Sequence, residues 1–129
     1  MALHLEGLDH VALVVRDQVR SVAWYEDLLG LREVFGDVWD GVPRMLVAPA
    51  SRTGVALFQA RDPDAAGVAA GTIRIAHVAF RVDRVTFEAA QVALETREIE
   101  FEFQDHEVSR SIYFHDPDGH ELELTTYEL

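Results

Sequence analysis

The stretch IAHVAFRVD, residues 75–83, decides the fold because the chain contains it in two similar copies. Near the start the sequence reads LDHVALVVRD, residues 8–17, with the same histidine before Val-Ala and an aspartate after the apolar run. The two histidines, His10 and His77, lie about half the chain apart. Internal repeats indicate an architecture built from repeated structural units. The repeat therefore predicts two similar modules, each presenting one histidine from an equivalent position.

Composition narrows the class of protein. The chain has 129 residues and is 49% hydrophobic, which predicts a single domain with its own core. The absence of cysteine excludes a disulfide framework, a thiolate metal site and a cysteine nucleophile. No apolar run reaches membrane-spanning length and the first residues do not read as a leader, so we expect a cytoplasmic protein that does not insert in a membrane.

The charge balance indicates which classes of partner the protein can bind. All eleven basic residues are arginine, and the formal net charge is −12. This balance argues against nucleic-acid binding, which needs clustered cations. At long range it weakly favours a cationic small ligand over an anionic one.

Each half predicts the order strand, helix, three strands. Asp17 is placed to cap the first helix and Gly30 to end it. Residues 61–72 have no clear period, so they are interpreted as a linker, with a mobile lid as the alternative. Neither half alone easily buries its sheet. The prediction is therefore one domain, 1–129, with module one at about 7–60 and module two at about 73–127. The predicted strands are 8–16, 31–35, 42–48, 54–59, 73–82, 99–104, 109–115 and 121–126.

Strand parity predicts a polar face in this domain, since alternate residues of a strand share a face. Applied to each strand, it groups His10, His77, Gln59 and Glu123 on faces beside small residues, while the opposite faces are apolar and need the helices as cover. Two imidazoles and a carboxylate form a set that leaves coordination positions open on Fe(II), Mn(II), Co(II), Ni(II) or Zn(II). Gln59 is a candidate additional oxygen ligand. The alternatives are ordinary strand histidines and, for Gln59, an ordinary strand residue.

The whole chain resembles the vicinal oxygen chelate superfamily, also called the glyoxalase / bleomycin resistance / extradiol dioxygenase superfamily. The resemblance is carried by LDHVALVVRD, SVAWYEDLLGL, IAHVAFRVD and SIYFHDPDGHELEL. It implies an α+β fold in which paired βαβββ modules form an eight-stranded mixed-sheet cup with helices on the outer face. It also implies a homodimer, and a divalent metal held by His10, His77 and Glu123. A fourth family position falls on strand 55–59, where glyoxalase I has a carboxylate and this chain offers Leu57 or Gln59.

The resemblance extends to several activities. A His, Gln, His, Glu set is similar to methylmalonyl-CoA epimerase, although SIYFHDPDG is not typical of that enzyme. Extradiol dioxygenases have a histidine, a tyrosine, an acidic-Pro-x-Gly turn and the ligand glutamate, and His106, Tyr113, residues 116–119 and Glu123 follow that order. The departure is Gln104, where a small or β-branched residue is usual.

Fosfomycin resistance enzymes also use His, His and Glu, and RSIYF, residues 110–114, resembles them. They usually carry threonine two residues after the first ligand, and basic residues for the phosphonate. Here that position is Ala12, and the acidic chain has no lysine.

The implied function is a metal-dependent enzyme that chelates vicinal oxygens of a small substrate, either ring-cleaving dioxygenase-like or a lyase/isomerase. In that role Tyr113 donates a hydrogen bond to the substrate, and His106 or His115 moves a proton. The alternative is a metal-free protein, similar to bleomycin resistance proteins, that sequesters a cationic ligand in a groove.

Overall fold

The structure is a computed structural model that describes all 129 residues, Met1–Leu129. It divides into two compact units, Met1–Ala65 and Ala66–Leu129. Each unit has the order strand, helix, three strands, so the predicted βαβββ order is confirmed in both halves. The strands form two four-stranded mixed sheets, each accompanied by one helix. The predicted α+β class is thereby confirmed.

The first unit contains five elements around one sheet. Strand β1 runs parallel to β4, β3 is antiparallel to β4, and β2 is antiparallel to β3. Helix α1 packs against β3 and β4. As predicted, the Asp17 carboxylate accepts the Arg20 backbone N–H, and Gly30 ends the helix in the left-handed region at φ 68°. The elements are β1 (His10–Val15), α1 (Gln18–Leu29), β2 (Arg32–Val34), β3 (Arg44–Val47) and β4 (Gly54–Gln59).

Gly54 is a point of close approach within this sheet. A Cβ atom at this position would run into the backbone carbonyl oxygen of Leu46 on β3 and would lie 2.9 Å from the Val47 Cα. Gly54 also pairs with His10 on β1. Glycine is therefore required for β3 to pack beside the start of β4.

The second unit repeats this arrangement. Strand β5 runs parallel to β8, β7 is antiparallel to β8, and β6 is antiparallel to β7. The Asp83 carboxylate accepts the Thr86 backbone N–H at the start of α2, and α2 packs against β8. Ile112, Phe114 and Leu122 are at most 1% exposed, so this sheet also buries an apolar face. The elements are β5 (Val78–Arg81), α2 (Arg84–Thr96), β6 (Glu102–Asp105), β7 (Arg110–His115) and β8 (Glu121–Thr126).

Strand β5 is shorter than predicted. It begins at Val78 instead of residue 73, and Ile73 and Ile75 are exposed. The reason lies in its partner, since β8 begins at Glu121 and Val78 already pairs with Leu122. Residues 73–76 have no neighbour to extend the ladder, so the connection between the sheets is longer than the predicted 61–72.

The turn at residues 116–119 forms as predicted. The Gly119 N–H donates to the Asp116 carbonyl oxygen at 3.0 Å, and Gly119 adopts a positive φ of 89°. The turn sets the antiparallel pairing of β7 and β8, in which Tyr113 lies opposite Glu123. Neither helix has the length and apolar character needed to cross a membrane.

Candidate functional site

The second unit presents one polar sheet face. Ala79, Glu123 and Tyr113 are direct neighbours across β5, β8 and β7, so their side chains form one row on the same side of the sheet. Residues two positions away on each strand share that side, and the helix-covered side carries Ile112, Leu122 and Leu124. The predicted polar face around Glu123 is therefore a real surface of this unit.

The Glu123 carboxylate is held from both of its oxygens. Ser111 Oγ donates to Oε2 at 2.6 Å, and the second oxygen, Oε1, lies 3.0 Å from His77 Nε2. Glu123 is only 8% exposed and Ser111 is fully buried. A buried carboxylate without partners is costly, so these two contacts are what permit it here. They also fix Oε1 toward the His77 ring.

Tyr113 and His106 form a second polar pair beside this carboxylate. Tyr113 Oη lies 3.0 Å from His106 Nε2, and the Tyr113 ring makes edge contacts with the rings of His77 and His106. Burial raises the pKa of the Tyr113 phenol, and the charge of the nearby Glu123 carboxylate raises it further. The phenol therefore stays protonated near neutral pH and remains able to donate a hydrogen bond.

The geometry of His77 and Glu123 fits a shared cation. Nitrogen and oxygen ligands bind divalent metal ions at about 2.1 Å, and two such atoms at the right angles of an octahedral site lie about 3.0 Å apart. The observed Nε2–Oε1 distance is 3.0 Å. The structure has no group of three or more His, Cys, Asp or Glu side chains arranged to hold a metal ion. This distance is also that of a hydrogen bond between the two groups, so the second unit supplies two atoms close enough to share either a proton or an ion.

In the first unit, the His10 ring is paired with the carboxylate of the residue before it. Its Nδ1 lies 2.7 Å from the Asp9 carboxylate, and the two side chains are 42% and 80% exposed. A carboxylate that accepts the Nδ1 proton leaves the Nε2 lone pair available for a ligand, as is common for metal-binding histidines. The Asp9 contact therefore favours the tautomer that a metal ligand needs.

The register corrects the placement of Gln59. Parallel β1 and β4 align Val15 with Gln59, whereas His10 aligns with Gly54 and Ala12 with Ala56. Neighbouring residues point to the same side, so Gln59 lies on the Val15 side of the sheet, opposite His10. The grouping of Gln59 with His10 was wrong because parity along one strand does not fix the pairing between strands.

The Gln59 side chain is also engaged in the fold. Its Oε1 accepts the Gln18 backbone N–H at 2.9 Å, and its Nε2 donates to the Arg16 carbonyl oxygen at 2.7 Å. These bonds tie the end of β4 to the entry into α1. The arrangement gives Gln59 a structural role.

The same register identifies the repeat equivalent of Glu123. Ala79 pairs with Glu123 in the second sheet, and Ala12 pairs with Ala56 in the first. Since His10 and His77 occupy equivalent repeat positions, Ala56 stands where Glu123 stands in the other unit. The expected position, Leu57 or Gln59, is therefore corrected to Ala56, which has no ligand atom.

The surroundings of Ala56 are apolar. Met45, Val47 and Ala56 form a buried cluster, against which Val34 and Phe58 pack. Because these residues share the His10 side of the sheet by register, that side is apolar apart from His10 and Arg32. The two units thus differ in chemistry on equivalent faces.

The remaining predicted residue, His115, lies on the polar face but at its end. It is exposed and pairs across the strands with Glu121. No side-chain hydrogen bond joins His115 to Tyr113 or Glu123, whereas His106 Nε2 lies within hydrogen-bond distance of Tyr113 Oη. The structure therefore groups His77, Glu123, Tyr113 and His106 and leaves His115 outside that group.

Two residues of this arrangement were missed from the sequence. Ser111 shares strand parity with Tyr113, but its contact with Glu123 depends on how β7 pairs with β8, which cannot be deduced from either strand alone. Asp9 precedes His10 directly, so the Asp-His pair was a readable signal for a histidine with a fixed tautomer.

Comparison with known proteins identifies the family. The sequence profile of the Glyoxalase/Bleomycin resistance protein/Dioxygenase superfamily matches residues 7–124. The chain belongs to this superfamily. No curated protein sequence matches it.

Solved structures agree with this assignment. A glyoxalase/dioxygenase from Nostoc punctiforme is 25% identical with a TM-score of 0.79, covering 100% of this chain and 98% of that one. A fosfomycin resistance protein from Mesorhizobium loti is 27% identical with a TM-score of 0.67, covering 98% and 96%. A glyoxylase/bleomycin resistance protein/dioxygenase domain from Frankia sp. EAN1pec is 21% identical with a TM-score of 0.81, covering 97% and 94%, and shows the shared fold.

Proposed function

We propose that this protein is a metal-dependent enzyme of the superfamily that acts on vicinal oxygens of a small substrate, with a ring-cleaving dioxygenase-like reaction as the best-supported subclass. The proposal rests on one observation, the His77–Glu123 contact of 3.0 Å held by Ser111. The metal ligands in this proposal are His77, Glu123 and His10, with His10 contributed by the same chain or by a second copy. Superfamily membership supports an enzyme that uses a divalent metal.

The Tyr113–His106 pair supports the dioxygenase-like subclass. A catechol substrate must lose a proton and keep its developing oxygen charge stabilised. Tyr113, with its raised pKa, is a hydrogen-bond donor beside Glu123, and His106, 3.0 Å from Tyr113 Oη, is a proton acceptor. When bound, the metal supplies Lewis-acid stabilisation of the chelated oxygens. Ala56 in place of a second carboxylate leaves three ligands, a set typical of open Fe(II) sites.

Removal of the Glu123 carboxylate tests the metal site. In untagged protein we expect Glu123→Ala to weaken Fe(II) and Zn(II) binding by more than about a hundredfold, because loss of a ligand costs more than the roughly 10- to 100-fold effect of losing an outer partner of a ligand. Titration calorimetry with each metal gives the affinity. Glu121→Ala is the matched control, since it removes a carboxylate from the same face of the same strand. Equal metal affinity in wild type and Glu123→Ala would refute the assignment.

The reaction subclass needs a separate measurement. Fe(II)-loaded protein is expected to consume oxygen in the presence of a catechol, and Tyr113→Phe and His106→Gln are expected to slow turnover without loss of metal. Full metal loading without oxygen consumption on any catechol would contradict the dioxygenase subclass and leave the lyase/isomerase. Failure to load metal, with tight binding of a cationic drug such as bleomycin, would instead support a binding protein.

The origin of His10 can be measured by mixing His10→Ala with Glu123→Ala protein. If the ligands of one ion come from two chains, random mixing restores about a quarter of the sites. If they come from one chain, no site is restored.

A further inference from the structure

Arg81 lies on the same sheet face as the proposed metal ligands. Ala79 pairs with Glu123, and Arg81, two residues further along β5, pairs with Thr125. Residues two apart on a strand share a face and are separated by about 7 Å. Arg81 therefore stands one row beyond the row that contains Glu123 and Tyr113.

The Arg81 guanidinium is oriented but forms no salt bridge. It lies over the Tyr127 ring at 4.8 Å from the centroid, and both residues are exposed. Arg81 differs from the other arginines in combining a position on the Glu123 face of the sheet with a contact to an aromatic ring. Stacking on an aromatic ring restricts the guanidinium while leaving its N–H donors available.

The residue between Arg81 and His77 on this face is the small residue Ala79. Ala79 is exposed and separates the Arg81 row from the end of the face where His77 lies. A methyl side chain leaves room above the sheet for the body of a ligand that reaches from one end to the other. The other ionised side chains on this face are acidic, namely Glu102, Glu121 and Glu123.

We propose that Arg81, held by Tyr127, binds an anionic group of the substrate while the vicinal oxygens lie near His77 and Glu123. This inference rests on the proposed function and names its substrate class, a small carboxylated compound with vicinal oxygens. Guanidinium geometry matches a carboxylate in a bidentate manner. The three glutamates repel an anionic group elsewhere on this face, so Arg81 also fixes the orientation of the substrate. The net charge of −12 acts at long range and does not remove this local attraction.

Three catechols that differ in the charge of one arm test the subsite. They are 3,4-dihydroxyphenylacetate, 4-methylcatechol and dopamine, titrated into Zn(II)-loaded protein, in which the catechol is not oxidised by the metal. We expect the anionic compound to bind about tenfold more tightly than the neutral one, the size of one charge-assisted hydrogen bond. Arg81→Gln should abolish this preference and leave 4-methylcatechol affinity and zinc content unchanged.

Arg110→Gln is the matched control. Arg110 is exposed on β7, and its strand parity places it on the side of the sheet opposite Ser111. It should keep the full preference, whereas Tyr127→Leu should reduce it partly. A preference that is missing in wild type, or that survives in Arg81→Gln, would overturn the subsite.

A metal-free measurement separates this inference from the proposed function. Phenylacetate and benzylamine are titrated into apo protein and followed by NMR of the Arg81 and Tyr127 side chains. Shifts that occur with phenylacetate and not with benzylamine support the subsite. If the protein also takes up no zinc, the metal assignment fails but the subsite stands. No shift with phenylacetate overturns the subsite whatever the metal result.

Discussion

At the scale of single residues, Ser111 determines how Glu123 is presented. Its hydroxyl donates to Oε2 at 2.6 Å and leaves Oε1 directed toward His77. We expect Ser111→Ala to weaken Zn(II) binding by about 10- to 100-fold, the usual effect of removing a hydrogen-bond partner of a metal ligand. Titration calorimetry measures this affinity, and urea unfolding of the metal-free protein reports any general loss of stability.

The conservative variant Ser111→Thr is the control, because it retains the hydroxyl and should recover most of the affinity. If Ser111→Ala binds zinc as tightly as wild type, Ser111 does not position the carboxylate. If Ser111→Thr fails as severely as alanine while remaining folded, packing at this site is responsible instead.

The sequence predicted which residues belong to the site better than it predicted the contacts between them. His10 and His77 could be recognised because the repeat aligned them, and Tyr113 and His106 because the family resemblance ordered them. The contact of His77 with Glu123 depends on the β5–β8 pairing, and the place of Tyr113 beside Glu123 depends on the β7–β8 pairing. The His106–Tyr113 contact depends on the β6–β7 pairing. The predicted position of Gln59 beside His10 was wrong because it depends on the β1–β4 pairing. That pairing places Gln59 beside Val15 and cannot be deduced from either strand alone.

At the scale of elements, one bidentate ion pair links β2 to β3. Arg44 donates to Glu33 from Nε at 2.9 Å and from Nη2 at 2.7 Å, and the two side chains are 28% and 25% exposed. The hydrogen bonds from Arg44 lower the pKa of Glu33 below its ordinary value of 4.5. The pair therefore stabilises the fold above about pH 4.5, and this contribution is lost as pH falls through the folded-state pKa.

We expect Glu33→Gln to reduce the free energy of unfolding by about 1 kcal/mol at pH 7, a value near the upper end for a partly exposed pair. The difference from wild type should shrink steadily below pH 4.5. Urea unfolding at a series of pH values measures it. Glu88→Gln, at an exposed position of α2, serves as the control and should show no such pH-dependent difference. A difference independent of pH would contradict an electrostatic origin.

Element types and order were predictable because local signals agreed with the fold. Asp17, Gly30 and the turn at 116–119 each mark an element end, and each behaves as its chemistry requires. Strand ends were less predictable. Residues 73–77 have the composition of a strand, but a strand needs a partner, and β8 begins too late to supply one.

At the scale of the whole molecule, the excess of negative charge opposes compaction. A formal charge of −12 on 129 residues produces self-repulsion that salt screens. Raising ionic strength from about 0.01 M to about 0.1 M shortens the Debye length from about 30 Å to about 10 Å. We expect the thermal midpoint of the apo protein to rise by about 2–5 °C over this range, which calorimetry can follow.

The control for this prediction uses sucrose, which raises stability without screening charge. It should raise the midpoint equally at low and high salt, so that the salt increment is preserved. A midpoint that falls with added salt would mean that attractive ion pairs such as Glu33–Arg44 outweigh the general repulsion.

The fold class of the whole molecule was the most predictable feature, because the repeat, the order of strands and helices and the family resemblance all indicated paired βαβββ modules. The particular reaction was not predictable from these features. It depends on which side chains meet on one face, and the same fold serves several activities.

The contrast between Ala56 and Glu123 bears on the history of the chain. A segment that duplicates begins as two equal copies, and both of these positions retain the same place in their sheets. One is a buried methyl group among Met45 and Val47, and the other is a carboxylate. We therefore expect substitutions at Ala56 to be limited by side-chain volume and those at Glu123 by charge, so two positions with the same place in the repeat should tolerate different changes.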